Sequence, residues 1–184
     1  MTLTDHTSTA PTSTTAAFTA PASTALTSTV LTVRKVTARI GAEVTGVDLS
    51  APLDHATVDA IREALNVHKA LVFTEVDLDD EGQQRFAGRF GGLTTAHPTV
   101  PSADGAPNIL PVDSERGVAN HWHTDVTFVL NPPQVSTLRS IVIPPYGGET
   151  LIANAGAAYR DLPEPLREFA DTLWAVHTND YDYA

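Results

Sequence analysis

Two side chains in the run ANHWHTDVTF, residues 119–128, are of the kind that bind metals: His123 and Asp125. On an extended strand side chains alternate between faces, so residues two apart point the same way. An imidazole nitrogen and a carboxylate oxygen on one face fit adjacent positions around a divalent ion. With one more histidine they form the 2-His-1-carboxylate set of non-haem iron(II) oxygenases, which leaves positions open for a chelating co-substrate and for oxygen. The ordinary alternative is a polar strand face meeting water. Seven histidines and fourteen aspartates give an H-x-D spacing by chance in roughly every second chain of this composition, so spacing alone does not decide.

The composition narrows the chemistry. A chain of 184 residues is long enough for one domain with a real core. Its formal net charge of −11 argues against nucleic acid or an anionic membrane as partner, while leaving room for a small anion in a local cationic pocket. There is no cysteine, which excludes disulfides, zinc–thiolate sites and a thiol nucleophile, so any metal must be held by His, Asp or Glu. The start, MTLTDHTSTAP, lacks a basic region followed by an apolar run, and no apolar run reaches the length of a membrane span. The expected setting is the cytoplasm. P-loop, dinucleotide and G-x-S-x-G fingerprints are missing.

The elements that must position the candidate pair follow from patterning. Residues 1–30 are nearly all Thr, Ser, Ala and Pro and read as a disordered tail. The domain is expected over residues 31–184. VLTVRKVTARIGAEVTGVDLS reads as two strands broken at Gly41 and Gly46. LDHATVDAIREALNVHKA reads as a helix capped by Asp54, with Val58, Ile61, Ala64, Leu65 and His68 at helical spacing. ALVFTEV reads as a short buried strand. DDEGQQRFAGRFGG reads as a second helix with Asp79 and Asp80 at its start. Strand-like runs then dominate: HWHTDVTFVL, QVSTLRSIVIP, ETLIAN and DTLWAVHTN, with a tight turn at Pro144, Pro145, Gly147 and Gly148, and a short helix at PEPLREFA. The expected class is α+β, mainly β: a double-stranded β-helix (jelly roll) with flanking helices, cut short at its C-terminal end.

The order HWHTDVTF, PP, L, P..GGET, AY..LPEPLR and WAVH, together with RIGAEVTGVDLS and HPTVP upstream, resembles the TauD/TfdA family of iron(II)- and 2-oxoglutarate-dependent dioxygenases, most of all its alkylsulfatase members. The likeness runs from about Val33 to the last residue. It implies that His123 and Asp125 are the first two iron ligands. It implies that Thr150 hydrogen-bonds the far carboxylate of 2-oxoglutarate, and that His97 and the backbone N–H of Val126 contact the sulfate or sulfonate of the substrate. His121 is read as a non-ligand.

In the family the third iron ligand is a histidine far beyond position 184, followed by arginines for 2-oxoglutarate and sulfate, and His177 is no substitute because WAVH has its own family counterpart. The sequence is therefore expected to be the N-terminal part of such an enzyme. The resemblance implies Fe(II) and 2-oxoglutarate, molecular oxygen, a small anionic substrate such as an alkyl sulfate or sulfonate, and a homo-oligomer. The reaction would be oxidative cleavage to an aldehyde plus sulfate or sulfite. The alternative is a catalytically incomplete fragment that at most binds metal or self-associates.

Overall fold

The computed structural model describes residues 31–95, 102–113 and 121–178. The tail expected over residues 1–30, and His97, lie outside the described residues.

The first half is built around one short sheet. Strand β1, Thr32–Lys35, pairs antiparallel with β2, Ala42–Thr45, so that Arg34 faces Glu43 and Val33 faces Val44. Arg34 Nε donates to Glu43 Oε2 at 3.0 Å, a cross-strand pair of opposite charge. Gly41, at φ 91°, supplies the left-handed conformation that turns the chain into β2. Helix α1, His55–His68, then carries the chain to β3, Leu71–Phe73, which pairs parallel with β2. The order β1-β2-β3 leaves both outer strands as edges.

Helix α1 forms where its pattern predicts. Asp54 is the N-cap and accepts from the Thr57 N–H at 2.7 Å, while Lys69 ends the helix in the left-handed region at φ 67°. Hydrogen bonding from Thr57, side chain and backbone, holds the Asp54 carboxyl below the usual carboxylate range. Val58, Ile61 and Ala64 bury one stripe of α1, and Ala42, Val44 and Leu49 complete the main core. Helix α2, Asp80–Ala87, is capped by Asp79, which accepts from the Gly82 N–H at 2.7 Å. Phe86 packs edge-on against Phe73 and Phe90, with centroids 5.7 and 5.2 Å away, which joins β3 to α2.

The second half differs from expectation. Among the described residues HWHTDVTFVL, QVSTLRSIVIP, ETLIAN and DTLWAVHTN form no strand; Asp171 is helical, and the other described positions are turn, bend or backbone without regular structure. Helix outweighs strand, so the mainly-β reading does not describe this part of the molecule. The physical reason is that a strand exists only by pairing: sequence supplies pleat and alternation, but a partner must supply the hydrogen bonds. The alternation itself survives over residues 134–140, where half-buried and exposed positions take turns. The β3 strand is also less buried than its apolar run suggests, since Val72 is 51% exposed on the sheet edge. A helix that patterning missed, α3, Ala155–Arg160, is capped by Asn154, whose side chain accepts from the Ala157 N–H at 2.9 Å. Helix α4, Glu164–Asp171, starts on Pro163 and Pro165 as expected.

Polar contacts anchor these segments to the first half. Arg139 Nε donates to Gln83 Oε1 at 3.1 Å, and its other nitrogens reach the Leu78 carbonyl and Asp80. Gln83 Nε2 donates to the Thr137 carbonyl at 3.2 Å. Asn154 Nδ2 donates to the Arg39 carbonyl at 2.9 Å, and Arg39 pairs with Asp161.

Candidate metal centre

His123 and Asp125 meet. Their Nε2 and Oδ1 atoms are 3.2 Å apart. They do not meet by strand alternation: residues 125–128 form a turn, and Val126 within it has φ 49°. Positive φ at a β-branched residue is a genuine outlier, held by its surroundings.

The partners of each side chain define which atom is presented. His123 Nδ1 lies 2.9 Å from the His121 carbonyl oxygen. A carbonyl only accepts, so Nδ1 donates to it, and Nε2 is the ring nitrogen on the Asp125 side. Ser136 Oγ donates to Asp125 Oδ2 at 3.2 Å, leaving Oδ1 toward Nε2. A ring nitrogen and a carboxylate oxygen thus stand 3.2 Å apart, close enough for one divalent ion beside them to touch both. Among the described residues no arginine or lysine forms an ion pair with Asp125. N and O donors about 2.1 Å from a first-row divalent ion and at right angles to one another lie about 3.0 Å apart. The observed 3.2 Å matches that geometry, so the two side chains fit neighbouring positions of an octahedral ion.

The remaining expected residues are less gathered. Val126 is half-buried in the turn, one residue past Asp125. Thr150 is exposed, in backbone without regular structure just after Gly147 and Gly148, whose φ values are 77° and 76°. His177 Nδ1 is 2.9 Å from Thr127 Oγ1, which brings the last described segment to the same turn. Among the described residues no three His, Asp or Glu side chains gather in a metal-holding group, so His177 does not complete a triad with His123 and Asp125. A concavity beside Gly46, Asp48, Phe73 and Glu75 shares no residue with the pair. Patterning missed two contributors, the His121 carbonyl and Ser136. Nothing in the spacing marks them, since one acts through its backbone and the other stands eleven residues from Asp125.

A profile of the family described as "Taurine catabolism dioxygenase TauD, TfdA family" matches residues 32–184. The chain is 56% identical over 148 residues to an alpha-ketoglutarate-dependent sulfate ester dioxygenase of Pseudomonas putida, a match covering 79% of this chain and 49% of that protein. It is 52% identical over 149 residues to an alkylsulfatase of Acinetobacter baylyi, covering 80% and 47%. The fold superposes on the crystal structure of a taurine dioxygenase from Burkholderia xenovorans with a TM-score of 0.69 at 41% identity, covering 77% of this chain and 51% of that one. The chain spans about half the length of these relatives.

Proposed function

The chain belongs to the TauD/TfdA dioxygenase family, and from that premise we propose that it carries part of the active site of an iron(II)- and 2-oxoglutarate-dependent dioxygenase that cleaves alkyl sulfate esters. The observation that carries the reading is the pair itself: Nε2 of His123 and Oδ1 of Asp125 stand 3.2 Å apart, each with its other polar atom already engaged. Kinship with a sulfate ester dioxygenase and an alkylsulfatase supports the substrate class. A sulfonate is the nearest competing substrate, given the likeness to a taurine dioxygenase.

In this reading His123 and Asp125 would hold the ion, which would supply the oxidation chemistry: with dioxygen and 2-oxoglutarate it would hydroxylate the carbon bearing the sulfate, giving succinate and carbon dioxide as co-products. The hydroxy-sulfate then expels sulfate and leaves an aldehyde. The chain's own groups orient the reactants. The Thr150 hydroxyl donates to the far carboxylate of 2-oxoglutarate. The Val126 N–H and His97 donate to the sulfate, His97 best as a cation, and so place the reacting carbon near the metal.

The complete domain in this proposal is a jelly roll, a cytoplasmic homo-oligomer in the family manner. Its further strands would cover Leu138, Ile141, Val142, Ile143 and Trp174, which are 70, 72, 85, 77 and 98% exposed. Among the described residues no helix is long and apolar enough to cross a membrane.

The test is succinate, aldehyde and sulfate release by the full-length protein with iron(II), ascorbate, 2-oxoglutarate and a medium-chain alkyl sulfate, beside a taurine arm. Turnover is expected with the sulfate ester and is abolished in His123→Ala and Asp125→Ala. Near-normal turnover in His123→Ala refutes the metal assignment. The 184 residues alone are expected to produce no succinate, because two protein ligands rarely hold iron(II) against water.

A further inference from the structure

We infer that Ser136 is a positioning residue that presents Asp125 to the metal through a single oxygen. The inference rests on the metal reading proposed above. The two oxygens of Asp125 have different neighbours: Oδ1 faces His123 Nε2 and Oδ2 faces the Ser136 hydroxyl, each at 3.2 Å. A carboxylate is free to rotate about its Cβ–Cγ bond, and Asp125 is exposed enough for water to compete for both oxygens. Engaging Oδ2 fixes the plane of the group and leaves Oδ1 as the donor. The separation is longer than the usual ~2.7–2.8 Å of a hydroxyl donor and would tighten as the carboxylate closes on an ion.

The orienting group is itself held. The carbonyl of the next residue, Thr137, accepts from Gln83 Nε2 at 3.2 Å. Arg139 donates to Gln83 Oε1 at 3.1 Å and also reaches Asp80 and the Leu78 carbonyl. Along this segment Val135, Thr137 and Arg139 are half-buried, while Ser136 and Leu138 are exposed. One side of the segment is therefore tied to the start of α2, and the other carries Ser136 to the 125–128 turn. Support runs from α2 through residues 137–139 to Ser136 and then to Asp125. His123 has the matching device in the His121 carbonyl at 2.9 Å. Both candidate ligands are thus oriented by an outer partner, as metal ligands commonly are.

The test is manganese(II) affinity of the full-length protein, read from the free-ion electron paramagnetic resonance signal without substrate. Ser136→Ala is expected to weaken binding about tenfold or more, while Ser136→Thr, which keeps the hydroxyl, stays within about twofold of wild type. Ser136→Cys keeps the shape with a weak donor and should follow the alanine variant. Ser136 is exposed, so none of these changes should alter the thermal midpoint. Asp125→Ala reports on the underlying reading: if it binds manganese as wild type does, the metal assignment falls. If it loses the ion while Ser136→Ala and Ser136→Cys bind normally, the metal assignment stands and the role of Ser136 is overturned.

Discussion

The backbone of Val126 offers a quantitative check on how the turn is held. At φ 49° a Cβ sits close to its own carbonyl oxygen, which costs roughly 1–2 kcal/mol for any residue but glycine. Alanine at Val126 removes the two half-buried γ-methyls, and glycine removes the Cβ as well, so the burial lost differs by one half-buried carbon. The rest of the difference between the variants comes from the backbone. In ordinary conformations glycine is about 0.5–1 kcal/mol less stable than alanine, because it loses more freedom on folding. At Val126 the relief of strain outweighs that loss, and Val126→Gly should exceed Val126→Ala by about 0.5–1 kcal/mol. In a domain of this size that is a difference of about 2 °C in melting temperature. The ranking should invert for binding. If the strained turn exists to aim the Val126 N–H at an anion, the looser glycine variant should bind an alkyl sulfate more weakly than the alanine variant. Differential scanning calorimetry and a competitive binding titration on the full-length variants read both quantities. Alanine equal to or more stable than glycine would show that the turn is not strained as described. Equal anion affinities would show that the strain has no part in binding.

Two further outcomes follow from the core and the helix cap. Ile61 is 1% exposed among Val44, Val58 and Ala64, so Ile61→Ala should cost about 2–5 kcal/mol by urea denaturation, a large part of the 5–15 kcal/mol of a typical domain; a loss under about 1 kcal/mol would mean the β2-α1-β3 core does not pack as observed. The Asp54 carboxyl has its pKa lowered in the folded state, so its capping contribution is fully present above the ordinary value of 3.8 and is lost as pH falls through the lower folded value. Circular dichroism at 222 nm through that acid range should therefore show an earlier loss of helix in wild type than in Asp54→Asn, whose cap does not titrate, and coincident curves would refute the cap's role.

The first half of the fold was legible because its signals are local. Asp54, the Val58–Ile61–Ala64–Leu65 stripe and Gly41 each specify a cap, a face or a turn within a few residues, and α1, α2, β1 and β2 stand where those signals place them. The second half was not legible in the same way. QVSTLRSIVIP has the alternation of a strand and keeps it over residues 134–140, yet no strand forms there, because pairing is a property of two segments and the alternation of one. Helix α3 escaped notice because a helix of six residues shows too little periodicity, and its one signal was the cap Asn154. H-x-D was legible as a pair, but the route by which its side chains meet was not. Strand alternation was the expected cause, and a turn with a strained valine is the observed one.

That difference of route explains which parts of the candidate site stand together. The contacts that orient the pair are short in sequence: the His121 carbonyl is two residues before His123, and Ser136 is eleven after Asp125. Loop-closure entropy over such spans is small, so the pair needs little beyond the turn and the α2 anchor to hold its geometry. Thr150 is in a different position. It follows two glycines in the left-handed region and lies in exposed, unpaired backbone, so nothing local brings its hydroxyl toward the pair. In the proposed jelly roll a sheet registering residues 147–152 against the 121–128 segment would do that, and the exposed apolar side chains of Ile141, Ile143, Leu151 and Trp174 are a surface such a sheet would bury. Metal affinity and co-substrate affinity should therefore depend on different parts of the fold: the first on the turn, Ser136 and α2, the second on completion of the sheet.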